Sequence, residues 1–159
     1  MSNTWECGLV EDVVRDFGEA RIRVFGTSMM PALNPGDVIS IQKTAIEEIS
    51  VGNIVLFIRN GRLFAHRVVE RIGDACNMRL ITRGDRLLQN DPDVSRMEFI
   101  GRVICAERNG KKVDLNLPLH LMKRMIAPLL RASERATYVY MRFFELQRAI
   151  FSDGRMRRV

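Results

Sequence analysis

Two short segments of the chain carry the residues with the most distinctive chemistry, a serine within Gly-Thr-Ser-Met-Met-Pro and a histidine within Ala-His-Arg-Val-Val. Ser28 and His66 are 38 residues apart, and the chain contains only two histidines. A serine hydroxyl is a weak nucleophile at neutral pH and needs a base within hydrogen-bond reach. Histidine side chains, with an unperturbed pKa near ~6.5, suit that task. The two segments therefore predict a serine peptidase.

Acidic residues in a polar loop complete a candidate Ser-His-Asp set. Asp85 and Asp91 are the main candidates and Asp93 is a third. An aspartate beside the histidine would orient the imidazole and stabilise its charged form. Taken alone, Ser28 could instead be an ordinary turn serine and His66 a hydrogen-bonded core histidine.

The elements that must position these residues read as a mainly β domain. Apolar residues at helical spacing predict a short amphipathic helix over residues 5–17, ended by Gly18. Turn signals such as Asn34-Pro35-Gly36-Asp37, Asn60-Gly61 and Asn109-Gly110 then separate short apolar runs. The predicted strands are 21–25, 38–41, 54–58, 63–70, 78–82, 100–107 and 111–115.

The C-terminal segment has a different pattern and a different charge. From Pro118 the apolar residues recur at helical spacing, and Pro128 within that run predicts two helical segments or a kink. Residues 118–159 contain nine Lys/Arg and three Asp/Glu, whereas the first 117 residues are neutral. We therefore divide the chain into an N-terminal helix (1–19), a β catalytic domain (20–116) and a basic amphipathic helical tail (117–159).

Three interpretations of the tail stay open. Its apolar face and arginines fit binding to an anionic membrane surface, packing on the β domain with a solvated basic face, or a protein partner. Nucleic acid is not expected, because no recognition module is apparent. His120 lies at the start of this tail and is assigned no role.

The remaining composition predicts a cytoplasmic protein, or one bound peripherally to a membrane. No signal peptide is visible, and no apolar stretch approaches the ~18–20 residues of a spanning helix. Cys7, Cys76 and Cys105 lack C-x-x-C spacing, so we expect buried thiols rather than disulfides or a zinc site. No cofactor or metal is predicted, and the sequence leaves the oligomeric state open.

Four blocks in this order resemble the signal peptidase I superfamily, which also includes self-cleaving repressors of the LexA kind. The blocks are residues 26–33, 35–37, 51–57 with 65–69, and 82–91 with 100–103. The resemblance implies a twisted antiparallel β-sheet and a serine endopeptidase that cleaves a leader or signal-like peptide after small side chains. Bacterial-type members use lysine as the base, whereas His66 matches the archaeal and endoplasmic-reticulum type.

The resemblance also implies roles for individual residues. Ser28 would be the nucleophile, His66 the general base and then acid, and Asp91 or Asp85 the acidic partner. Between the two we favour Asp91 as the residue that orients the imidazole and Asp85 as the residue that shapes the loop. Met29, Met30 and Pro31, which follow the serine, are candidate peptide-binding residues. Many signal peptidases have a hydroxyl residue where this chain has Gly26, so backbone N–H groups, notably that of Ser28, would have to stabilise the oxyanion.

Two other functions are compatible with the same blocks. A catalytically idle relative would bind leader peptides in the same groove without cleaving them. A LexA-like self-cleaving regulator would need a DNA-binding domain and a cleavable linker ahead of the serine, and 27 residues precede Ser28. We expect the peptidase.

Overall fold

The computed structural model of the protein describes residues 4–74, 76–113, 115, 138–139 and 142. A helix, α1 (Thr4–Phe17), is followed by seven strands, and a short 3-10 helix (Ile46–Glu48) lies between the second and third. The strands are β1 (Glu19–Arg23), β2 (Val38–Gln42), β3 (Ile54–Arg59), β4 (Arg62–Ile72), β5 (Arg79–Arg83), β6 (Phe99–Arg108) and β7 (Lys111–Val113).

All seven strands belong to one antiparallel sheet. Its order is β1-β2-β6-β3-β4-β5, and β7 pairs with β6. The long strands β4 and β6 both flank β3, so the middle of the sheet is formed by strands that are far apart in sequence. The predicted mainly β architecture with an N-terminal helix is confirmed.

The central strand β3 is buried on both faces. Ile54 and Leu56 contribute to one apolar cluster, and Val55 and Phe57 contribute to another. Because side chains alternate between the two faces of a strand, the two clusters lie on opposite sides of the sheet. Val14 of α1 is 1% exposed and belongs to the first cluster, so the helix covers that face.

The turn residues have the conformations that their types favour. Asn60 and Gly61, between β3 and β4, have φ of 51° and 66°. A two-residue hairpin turn matches the right-handed twist of its flanking strands when both central residues have positive φ. The pair Asn-Gly tolerates this conformation best. The second predicted Asn-Gly hairpin, between β6 and β7, has the same geometry. Its Gly110 has a φ of 75°.

The first strand lies two residues closer to the N-terminus than the sequence pattern predicts. It ends at Arg23, whose partner is Val38 at the start of β2. Val24 instead bonds to the turn that precedes β2, donating to the Asp37 carbonyl (2.8 Å) and accepting from the Gly36 N–H (2.7 Å). The chain therefore leaves the sheet before it reaches the serine.

The prediction that all three cysteines are buried is corrected, and the predicted tail falls almost entirely outside the described residues. Cys7 is buried and Cys105 half-buried, but Cys76 is exposed in the turn before β5, so the prediction of a buried thiol is wrong at that position. The predicted helical tail lies outside the described residues, apart from the helical residues 138, 139 and 142. Within the described part of the chain, no helix is long and apolar enough to cross a membrane.

Candidate active site

Three of the predicted site residues form one continuous hydrogen-bonded chain. His66 Nε2 lies 2.9 Å from Ser28 Oγ, and His66 Nδ1 lies 2.7 Å from Asp91 Oδ2. Both distances are those of good hydrogen bonds. A Nδ1–H that donates to the carboxylate leaves the Nε2 lone pair facing the serine hydroxyl. This is the arrangement in which an imidazole can take a proton from serine.

Each of the three residues comes from a different element. Ser28 lies in the segment that follows β1, His66 lies within β4 opposite Val55 of β3, and Asp91 lies in the loop after β5. The antiparallel pairing of β4 with β5 brings that loop back beside the histidine. Residues separated by 25 and 38 positions in sequence therefore meet at one end of the sheet.

The histidine is the most rigidly held member of the set. His66 is 3% exposed, and its ring meets those of Phe57 and Phe64 edge-on at centroid distances of 6.0 and 5.8 Å. These rings exclude water from the sides of the imidazole, and the two hydrogen bonds fix its rotation. The side chain is buried, as a core histidine would be, but its hydrogen-bond partners are the serine and the aspartate of the predicted set.

The Asp91 carboxylate stays charged in this setting. Partial burial by itself would raise the pKa of Asp91, but hydrogen bonds from His66 and Thr82 and the positive charge of Arg59 together lower that pKa below its ordinary value. The Thr82 hydroxyl donates to Asp91 Oδ2 over 2.7 Å, and the Asp91 N–H donates to the Thr82 carbonyl over 2.8 Å. Thr82 therefore holds both the side chain and the backbone of Asp91.

Asp85 lies elsewhere, in an ion pair with the residue after the histidine. The Arg67 guanidinium donates Nε–H to Asp85 Oδ1 (2.8 Å) and Nη2–H to Oδ2 (2.9 Å), a bidentate geometry. It also donates to the Gly52 carbonyl over 2.8 Å. Asp85 thus ties the loop after β5 to β4, and Asp93 pairs with Arg79 instead of His66.

The same loop also contacts the serine directly. The Arg86 N–H donates to the Ser28 carbonyl over 2.9 Å. Gly84 is packed so closely that a Cβ placed on it would lie 2.7 Å from the Ser28 carbonyl oxygen and 3.0 Å from Ser28 Cβ. The position of the nucleophile therefore depends on the loop that carries Asp91.

A cavity of about 880 Å³ opens beside Ser28 and His66. Its walls come from residues 22–26 on one side and from Gly61 with the first half of β4 (62–66) on the other, and α1 contributes Cys7 and Val10. Among the candidate peptide-binding residues, Met29 lines this cavity. Met30 and Pro31 are buried and do not line it, so of the three only Met29 can contact a ligand there.

The sequence reasoning missed the supporting residues Thr82, Arg67 and Gly84. Their signal was present, since all three lie within the four blocks and Arg67 and Gly84 are next to predicted site residues. Their function depends on side-chain direction across paired strands, which spacing alone does not give. Within the described residues, no group of three or more His, Cys, Asp or Glu side chains could hold a metal ion.

Comparison with known proteins assigns this region to a family. Residues 8–104, more than half of the chain, match the model of the Peptidase S24-like family. The chain is also similar to the signal peptidase complex catalytic subunit SEC11 of Colletotrichum graminicola, with 32% identity over 104 residues. The same subunit of Neurospora crassa is 29% identical over 85 residues, and that of Sclerotinia sclerotiorum is 28% identical over 103.

These matches are partial on both sides. They cover 58%, 52% and 58% of this chain, and 60%, 49% and 60% of the three relatives. The chain thus spans about half to three fifths of the length of these relatives. Residues 8–104, which the family model matches, contain Ser28, His66 and Asp91 and both walls of the cavity from the sheet.

Proposed function

Because the chain belongs to the Peptidase S24-like family, we propose that it is a serine endopeptidase acting on a leader or signal-like peptide, with Ser28 as nucleophile. The observation that carries the proposal is the unbroken contact from Ser28 Oγ through His66 to Asp91, at 2.9 and 2.7 Å. The names of the relatives, catalytic subunits of a signal peptidase complex, support the choice of substrate class.

In the first half of the reaction, Ser28 Oγ attacks the carbonyl carbon of the scissile bond while His66 Nε2 takes the hydroxyl proton. Asp91 accepts the Nδ1–H bond throughout and stabilises the imidazolium. The tetrahedral intermediate collapses when His66 returns the proton to the leaving amine, which breaks the C–N bond and leaves an acyl-enzyme on Ser28. Water, deprotonated by His66, then hydrolyses the ester.

The oxyanion of the tetrahedral intermediate would be stabilised by backbone hydrogen-bond donors. Within the described part of the chain, the backbone N–H of Ser28 has no hydrogen-bond acceptor, so it is available to a developing oxyanion. Gly26 supplies no side-chain donor. A backbone donor alone is compatible with catalysis, because preorganised N–H groups contribute strongly in a dry site.

An extended peptide fits the cavity. Residues 62–66 of β4 pair with β3 on one edge, and among the described strands β5 joins the other edge only from Arg67 onward. The unpaired edge faces the cavity beside the histidine. A peptide strand that adds to this edge gains main-chain hydrogen bonds while its side chains enter the apolar cavity.

The test is cleavage of a synthetic peptide library by the purified full-length chain and by Ser28→Ala and His66→Ala. We expect both variants to lose cleavage while remaining folded, with a lower thermal midpoint for His66→Ala because its buried ring packs against Phe57 and Phe64. Substantial cleavage by Ser28→Ala would refute the nucleophile. Peptide binding by the wild type without turnover would instead select the idle relative, and loss of intact mass on incubation without peptide would select self-cleavage.

The basic tail remains a separate proposal. Its charge suits an anionic membrane surface, where each basic residue near the surface adds about 1 kcal/mol of attraction. Co-sedimentation of the full chain with vesicles containing phosphatidylserine tests this. Binding that is absent at low salt, or equal on neutral vesicles, would exclude the electrostatic interpretation.

A further inference from the structure

The charges around the cavity are all of one sign. Apart from His66, the charged residues that line it within the described part of the chain are Arg23 and Arg62, and no carboxylate is among the described lining residues. The remaining walls are largely apolar, with Leu33, Leu56 and Leu63 among them. In a concave, largely apolar site, the few charged groups determine which ligands bind and in which orientation.

The two arginines line the cavity at positions that precede the catalytic residues in sequence. Arg23 is the last residue of β1, five positions before Ser28, and Arg62 is the first residue of β4, four positions before His66. At about 3.3 Å per strand residue, Arg62 lies ~13 Å along the strand from His66. An extended peptide that runs along this edge of β4 with its scissile bond at Ser28 would bring a residue about four positions away level with Arg62. Arg23 belongs to the other wall of the same cavity.

Neither arginine has a structural partner. In the part of the chain that the structure describes, Arg23 and Arg62 make no ion pair and donate no side-chain hydrogen bond, and both are exposed. Their strand neighbours differ, since Arg21 pairs with Glu107 and Arg67 with Asp85. The charge of Arg23 and Arg62 is therefore uncompensated where a ligand would lie.

We infer that Arg23 and Arg62 select peptides that carry an aspartate or glutamate about four residues from the scissile bond, with apolar side chains between. This rests on the proposed peptidase function and adds a substrate class to it. The chain's own segment 118–159 is a poor alternative occupant, because it carries nine basic residues and three acidic ones. Like charges at such close range repel.

The expected size of the effect follows from the exposure of the two side chains. An exposed ion pair contributes ~0.2–1 kcal/mol, or about a 1.4- to 5-fold change in affinity for each arginine. It is screened by salt, so the preference should shrink as ionic strength rises. The contribution of each arginine is small, and the two together should give a measurable preference.

The experiment measures binding and cleavage separately. Immobilised Ser28→Ala protein is presented with a randomised peptide library, and the same library is given to the active wild type. We expect acidic residues to be enriched about four positions from the cut and in the bound pool. Arg23→Gln with Arg62→Gln should abolish the enrichment, and Arg23→Glu with Arg62→Glu should convert it to a preference for lysine and arginine.

A matched control removes the same charge from the same two strands. Arg21→Gln with Arg71→Gln changes exposed arginines that do not line the cavity, and it should keep the acidic preference. Cleavage or binding without an acidic preference in the wild type would overturn the inference while leaving the peptidase intact. Acidic enrichment in the bound pool without cleavage would support the inference and refute the catalytic proposal.

Discussion

The close approach of Gly84 to the nucleophile makes Gly84→Ala a sharp test of how the site is assembled. The added Cβ would lie 2.7 Å from the Ser28 carbonyl oxygen and 3.0 Å from Ser28 Cβ. Ordinary carbon–oxygen contacts of this kind are ~3.3–3.6 Å, so the two segments must separate by about 0.6–0.9 Å. Crowding on this scale costs about 1–3 kcal/mol of folding stability.

The separation cannot be absorbed without moving a catalytic group. The loop is held by the Asp91 N–H bond to the Thr82 carbonyl, and Ser28 is held by the Arg86 N–H. Whichever segment moves, a contact of the Ser28–His66–Asp91 chain lengthens. A misplacement of ~1 Å costs on the order of 10²-fold in rate, so we expect cleavage by Gly84→Ala to fall by about that factor.

Gly101→Ala is the matched control. Its Cβ would lie 2.5 Å from the Gln42 carbonyl oxygen, a similar clash between β6 and β2. It should lower the free energy of unfolding, measured in urea, as Gly84→Ala does. The kcat per folded molecule should stay within about 2-fold of the wild-type value, because Gly101 contacts none of the three catalytic residues and mutations without shared partners act independently. Wild-type cleavage by a folded Gly84→Ala protein would show that the loop does not position the serine.

Three further predictions concern the acidic residues of the site and its surroundings. Asp91→Asn should lower kcat by about 10²–10⁴-fold with little change in KM, because the amide can no longer hold His66 with Nε2 free to accept a proton; peptide-cleavage kinetics measure this. Asp85→Asn should reduce unfolding free energy by about 1–3 kcal/mol in urea, because it leaves the half-buried Arg67 without its charged partner. The hydrogen bond from Arg59 lowers the pKa of Glu98 from 4.5 to about 2. The folding stability that Glu98 contributes is therefore fully present above pH 4.5 and is lost as the pH falls toward 2.

Each of these predictions has its own control. Asp93→Asn removes an acid from an exposed ion pair with Arg79 and should lower the unfolding free energy much less than Asp85→Asn does. A cost equal to that of Asp85→Asn would refute the special role of the Asp85 pair. Glu98→Gln should flatten the fall in stability between pH 4.5 and 2, and an unchanged pH profile would contradict the assigned cause. For Asp91→Asn, an unchanged kcat would remove Asp91 from the mechanism.

The turns and the alternating strands were accessible from sequence because their signals are local. Asn60-Gly61 and Asn109-Gly110 need positive φ, and few other residue pairs supply it cheaply. The serine and histidine were also identifiable, because each lies within one of the four ordered blocks, although taken alone either could have been an ordinary structural residue. These predictions depended on residue type and near neighbours, which the chain displays directly.

The choice between Asp85 and Asp91 depended on tertiary geometry instead. Both lie in the same loop, and only the pairing of β4 with β5, with its irregularity between Val68 and Glu70, decides which carboxylate faces His66. The partner of Asp85 is the residue next to the histidine, whose side chain points to the other face of the strand. A register change of one residue would exchange the two faces, and spacing in sequence does not report it.

The most direct test of the central claim is a survey of protein N-termini in cells that express either the wild-type chain or Ser28→Ala at equal levels. The proposed mechanism predicts a set of N-termini that is present with the wild type and lost with the variant, and sequences flanking those cuts would define the substrate. An identical set of N-termini in both cell lines, with the wild-type protein folded and expressed, would contradict peptidase action through Ser28.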